Sequence, residues 1–79
     1  MTVKTFPKIG DIARVEYASG AVEFGLVSWA CEPEQTVEVE GLGPRGWSAG
    51  MFPARMVRSV TAEERDAEIQ SLRNSGSAT

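Results

Sequence analysis

The longest apolar, β-prone run in the chain extends over residues 22–30 and directly follows a Ser19-Gly20-Ala21 segment. Ser-Gly is a turn dipeptide, and residues 12–17 before it alternate between apolar and polar side chains, as a half-buried strand does. Two such strands on either side of a short turn predict a β-hairpin. We take this hairpin as the centre of the fold.

The second strand of the hairpin carries apolar side chains on both of its faces. Strict alternation places Gly25, Val27 and Trp29 on one face, and Phe24 and Leu26 on the other. We expect Trp29 to lie in the core and one side of this strand to meet another subunit. A glycine in mid-strand, Gly25, indicates a bulge or a sharp bend.

The rest of the chain predicts three more strands and one helix. The strands cover residues 36–40, 47–52 and 57–60, with a single helical turn over 53–56. Thr61 and Glu64 form a capping box, which begins a helix from Ala62 to Arg73. Residues 1–9 are predicted to form an N-terminal arm and residues 74–79 a disordered tail. The sequence therefore predicts a mainly β fold: a small five-stranded SH3-like barrel over residues 10–60 with a short C-terminal α-helix over 61–73.

Length and composition restrict the function classes. A chain of 79 residues forms one domain whose small core favours oligomerisation, so we expect a homo-oligomer, either a dimer or a tetramer. One cysteine, Cys31, excludes an intramolecular disulfide, and without histidine there is no imidazole base and no common zinc site. We expect no catalytic residue, no cofactor and no metal ion. The absence of a signal-peptide pattern or a long apolar run predicts a cytoplasmic protein without membrane contact.

Charge is distributed unevenly along the chain. Residues 11–40 carry seven acidic side chains against one arginine, a balance of −6, and residues 41–60 carry three arginines and no acid. The four glutamates at positions 32, 34, 38 and 40 predict a solvated strand face. The net charge of −3 and the few lysines argue against a contact led by phosphates, so nucleic acid is not the expected partner.

A set of short motifs is spaced through the predicted barrel. It consists of Gly10-Asp11, Ser19-Gly20-Ala21, Gly25, Val27, Trp29, Cys31 and Phe52-Pro53-Ala54. With these motifs, residues 6–60 resemble the plasmid-borne, trimethoprim-insensitive type II dihydrofolate reductases. The resemblance implies a homotetramer of SH3-like barrels around one central pore, in which dihydrofolate and NADPH meet for hydride transfer.

The chain departs from that family at the residues that line the pore. The family carries Val-Gln-Ile-Tyr before the proline, whereas this chain has Gly50 in place of the glutamine and Phe52 in place of the tyrosine. Tyr17-Ala18 occupies the position of the family's lysines, and Gly43 that of its histidine. A buried polar group of a ligand left without a partner costs roughly 1–3 kcal/mol. We therefore expect the fold to be kept and the reductase chemistry to be lost.

The sequence thus predicts a small non-enzymatic SH3-like interaction module that self-associates and binds a protein partner, of the type encoded by phages or mobile elements. The candidate partner-binding residues are Arg45, Trp47, Met51 and Phe52, because a Gly-Pro-Arg-Gly turn presents basic and aromatic groups together. One alternative is a dihydrofolate reductase-like, NADPH-dependent oxidoreductase. A second is a nucleic-acid-associated barrel that uses Arg45, Arg55 and Arg58.

Overall fold

The computed structural model describes residues 6–43, 46 and 48–77, with the side chains of 75–77 left aside. The elements are β1 (Ile12–Glu16), β2 (Val22–Cys31), β3 (Thr36–Leu42), β4 (Ser48–Pro53), a 3-10 turn (Ala54–Met56), β5 (Val57–Val60) and α1 (Ala62–Ser77). The strands form one antiparallel sheet in the order β4-β3-β2-β1-β5. The mainly β prediction, with five strands and a C-terminal helix, is confirmed.

The sheet is open. Its outermost strands are β4 and β5, and no pairing joins them within the residues that the structure describes. Closure into an SH3-like barrel is therefore not confirmed and remains a prediction. The 3-10 turn over Ala54–Met56, which the sequence predicted between the last two strands, leads the chain from one edge of the sheet to the other.

The central hairpin forms as predicted. Gly20 has a φ of 90°, a left-handed conformation that glycine adopts without steric cost, and its N–H donates to the Tyr17 carbonyl at 2.9 Å. The Tyr17 N–H donates to the Ala21 carbonyl, also at 2.9 Å, and this closes the turn. Pairing of Glu16 with Val22 then fixes the register of β1 against β2.

One face of the sheet holds the core, and small branched side chains dominate it. The buried residues are Ala13, Val15, Val27, Val37, Val39, Leu42 and Val57. Phe6, Tyr17 and Phe52 pack against them from the side. The alternation predicted for β1 and β3 is confirmed, since Val37 and Val39 are buried and Glu40 is exposed.

Leu42 is a core residue that lies beyond the strand predicted over residues 36–40. β3 continues past Glu40 because Gly41, at a φ of 79°, forms an irregularity in the pairing with β4. The extra residue turns the Leu42 side chain inward, where it is 4 % exposed. A glycine at positive φ thus extends the strand and adds one large side chain to a small core.

The C-terminal helix begins as predicted. The Thr61 hydroxyl accepts from the Glu64 N–H at 3.0 Å, and a Glu64 carboxylate oxygen accepts from the Thr61 N–H at 2.9 Å. The hydrogen bond from the Thr61 N–H to the Glu64 carboxylate lowers the pKa of Glu64. The helix ends at Ser77, so residues 74–77, predicted as tail, are helical, because each residue added to a formed helix gains a hydrogen bond. Residues 78 and 79 lie outside the described part.

Candidate interaction surface

Of the four predicted partner-binding residues, the structure describes Met51 and Phe52, and these two do not share a face. Met51 and Phe52 are neighbours in β4 and point to opposite faces, as successive strand residues do. Met51 is exposed, whereas Phe52 is half-buried against the core, with its ring 5.9 Å from that of Tyr17 in an edge-to-face arrangement. Arg45 and Trp47 lie outside the described residues. The alternation of side chains along a strand already predicts from the sequence that Met51 and Phe52 lie on opposite faces.

Trp29 is not in the core, contrary to the prediction. Val27 pairs with Val39 and Trp29 pairs with Glu38, so Ser28 is an extra residue in β2. This bulge shifts the alternation by one position after Val27, which stays buried, and so turns the Trp29 side chain outward. The sequence analysis expected the irregularity at Gly25 instead. The Ser28 hydroxyl lies 2.8 Å from Glu38 Oε1 and 3.3 Å from the Glu38 carbonyl oxygen, contacts that hold the bulge against β3.

The bulge produces an exposed apolar surface on the outer face of the sheet. Leu26, Trp29 and Met51 are 47 %, 39 % and 54 % exposed. Trp29, Glu38 and Met51 form one row across β2, β3 and β4, in which each residue pairs with the next. Leu26, Glu40 and Ala49 form a second row across the same three strands. We call Leu26, Trp29, Glu38, Glu40, Ala49 and Met51 the outer patch. Among these residues the sequence predicted Met51 as a binding residue, but not the exposure of Trp29.

The helix α1 covers the neighbouring part of the same outer face. Glu68 of α1 accepts two hydrogen bonds from Arg14 of β1, one from Nε at 2.7 Å and one from Nη2 at 2.8 Å. These bonds lower the pKa of Glu68 and, together with the contact to Glu16, raise that of Arg14. Ile69 is half-buried and lines, with Phe24, an open cleft of about 460 Å³ between α1 and β2. On the outer face, α1 is thus held at Arg14 of β1, and the surface formed by β3 and β4 is open.

One edge of the sheet next to the outer patch is uncharged. β4 has the sequence Ser-Ala-Gly-Met-Phe-Pro and is unpaired on its outer side within the described residues. Natural proteins protect edge strands with charges, bulges or short length. The other edge strand, β5, shows two of these protections, since it has four residues and carries the exposed Arg58. β4, by contrast, contains no charged residue and is six residues long.

The arginines proposed for nucleic-acid binding lie in a mixed environment. Arg55 and Arg58 are exposed and line a wide groove of about 1010 Å³. Glu16 and Glu32 line the same groove, and its third arginine, Arg14, is paired with Glu16 and Glu68. The groove therefore carries charges of both signs, which weakens its attraction for phosphate groups.

Cys31 is free and half-buried. Among the residues that the structure describes, no three acidic or cysteine side chains are grouped closely enough to hold a metal ion. The helix of the described region is too polar to cross a membrane. No protein-family model, no curated protein and no solved structure matches the chain.

Proposed function

We propose that the chain is a small non-enzymatic interaction module that self-associates and binds a protein partner. The observation that carries the proposal is the outer patch, where Leu26, Trp29 and Met51 expose large apolar side chains on two strands on either side of β3. Exposed large apolar side chains grouped in this way are typical of protein interfaces. Tryptophan and methionine are both enriched in such interfaces.

Self-association uses the free edge of β4 in this proposal. Two copies that pair β4 with β4 satisfy each other's unpaired backbone groups and continue the sheet. The edge carries no charge that opposes its own copy. The glutamates of the two β3 strands then stand three strand spacings apart, roughly 14 Å, which exceeds the Debye length at physiological salt.

A charge placed on β4 tests the self-association. In Ala49→Lys the new ammonium faces Glu40 of its own chain, so the monomer keeps a favourable pair, while two copies at the β4 edge repel each other. Ala67→Lys is the matched control, because Ala67 is also exposed and lies on α1. Sedimentation equilibrium should show oligomers for the natural chain and for Ala67→Lys, and monomers for Ala49→Lys.

The self-association fails as a proposal if the natural chain sediments as a monomer at every concentration. It also fails if Ala49→Lys associates as strongly as Ala67→Lys does.

The two alternatives gain no support from the geometry. Residues 49–53 of β4, where the resemblance to type II dihydrofolate reductases would place the pore, contain no side chain that donates a hydrogen bond. The arginines of the nucleic-acid alternative share their groove with carboxylates. An assay for NADPH-dependent reduction of dihydrofolate and a gel shift at low salt test these alternatives, and turnover or retardation would revive them.

A further inference from the structure

We propose that the outer patch binds a partner protein through an α-helix that carries lysine or arginine beside apolar side chains. The inference rests on the proposed function and names the partner's chemistry. It concerns the open face of the sheet, whereas self-association concerns the β4 edge, so the two can fail independently.

The outer face of this sheet already holds one helix. α1 lies beside β1 and the first part of β2, joined to β1 by the Arg14–Glu68 ion pair, and Ile69 lines the cleft that faces Phe24. The outer patch continues this surface, since Leu26 follows Phe24 on the same face of β2. Trp29 and Met51 are two strand spacings apart, roughly 10 Å, which is close to the diameter of a helix. The open surface therefore has the dimensions of a second helix site.

The charge of the outer patch selects the kind of helix. Beside α1, the ion pair is formed by an arginine of the sheet, Arg14, and a glutamate of the helix, Glu68. On the open surface, the sheet contributes Glu38 and Glu40, both on β3 between the apolar side chains. A helix there must bring cations to complement these carboxylates and apolar groups to cover Leu26, Trp29 and Met51.

A second copy of α1 does not meet this requirement. The first two turns of α1 contain Glu63, Glu64, Asp66 and Glu68 against one cation, Arg65. Its approach to Glu38 and Glu40 would place like charges together, which disfavours the complex. The partner helix therefore belongs to a different protein.

A library of displayed alanine-based helical peptides tests the inference. Six positions along one helix face are varied freely, and the folded full-length chain is the bait. We expect selected peptides to contain lysine or arginine together with leucine, isoleucine, phenylalanine or methionine. Their affinity should fall about tenfold for Met51→Ser, and also for the double variant Glu38→Gln with Glu40→Gln at low salt.

Matched controls distinguish the outer patch from general effects of charge and hydrophobicity. Leu72→Ser removes an exposed apolar side chain of α1, and the double variant Glu34→Gln with Glu63→Gln removes two exposed charges elsewhere. Both should leave affinity within about twofold. The inference is overturned if no peptide is selected, if selected peptides are acidic, or if the controls weaken binding as much as the outer-patch variants. Sedimentation of the same chain reports separately on self-association.

Discussion

Arg14 and Glu68 are 54 residues apart in sequence and meet in a two-point ion pair, with Nε 2.7 Å from Oε1 and Nη2 2.8 Å from Oε2. The pair is partly shielded, since the Arg14 side chain is 17 % and the Glu68 side chain 27 % exposed. It joins α1 to β1 on the outer face. Since the apolar contacts of α1 are few, this ion pair is the main link between the helix and the sheet.

Replacing Glu68 with glutamine should loosen α1 without unfolding the sheet. The loss of a charge-assisted, bidentate pair at a partly exposed site costs about 1 kcal/mol. Hydrogen exchange should show faster exchange over Ala62–Ser77 and unchanged protection in β1 to β3. Glu63→Gln is the control, because Glu63 lies on the same helix and is exposed. Equal protection of α1 in both variants would contradict the role given to the pair.

The same ion pair should make stability depend on acid pH. Arg14 lowers the pKa of Glu68 below its ordinary value of 4.5. The stabilisation is therefore fully present above pH 4.5 and is lost as the pH falls through the lower pKa of the folded state. The difference in unfolding free energy between the natural chain and Glu68→Gln, followed by urea denaturation, should shrink over that window. A constant difference down to the lowest pH would show that Glu68 is not held by Arg14.

Tyr17 should titrate at unusually high pH. Its hydroxyl donates to Glu23 Oε1 at 2.6 Å, and this hydrogen bond, with a smaller effect of burial, raises the pKa of Tyr17 to about 12 from 10.0. Tyr17 is the one tyrosine of the chain, so its ultraviolet absorbance reports it directly. Since the folded pKa is raised, this stabilisation is present below pH 10 and is lost as the pH rises to about 12. Glu23→Gln should move the midpoint of the Tyr17 titration back towards pH 10. A midpoint near pH 10 in the natural chain would exclude the hydrogen bond.

Gly25 should not tolerate a side chain. A Cβ at this position would overlap the Glu40 carbonyl oxygen and lie 2.8 Å from Val39 Cγ1 and 3.2 Å from Leu42 Cδ2. Gly25→Ala should therefore lower the free energy of unfolding by roughly 1–3 kcal/mol, as overpacking does. Gly50→Ala is a graded comparison, because its nearest atoms lie at 3.2 Å in the Phe52 ring, which is half-buried and has room to shift. Chemical denaturation of both should rank Gly25→Ala as the less stable, and the reverse order would contradict the close approach of β2 to β3.

The sequence predicted the parts of the fold that depend on local rules. Periods of two in β1 and β3, the Ser19-Gly20 turn and the capping box at Thr61 each require only neighbouring residues, and each is confirmed. The sequence predicts that the helix ends at Arg73, because serine, asparagine and glycine have low helix propensity. The helix continues to Ser77, since the effect of these residues on a helix that has already formed is small.

The candidate site was predicted less well, because bulges depend on the pairing partner. One extra residue at Ser28 places Trp29 on the face opposite to Val27, and one at Gly41 turns Leu42 inward. Neither can be derived from alternation alone, since the register between strands is a tertiary property. The sequence therefore placed Trp29 in the core, although its cross-strand neighbours are Glu38 and, beyond it, Met51.

The outward position of Trp29 is the central claim, and acrylamide quenching of its fluorescence in a Trp47→Phe background tests it most directly. In dilute solution we predict emission at long wavelength and quenching at a rate intermediate between those of a buried indole and the unfolded chain. Quenching should decrease when a selected helical peptide is added. Emission at short wavelength with negligible quenching would place Trp29 in the core and contradict both the bulge at Ser28 and the outer patch.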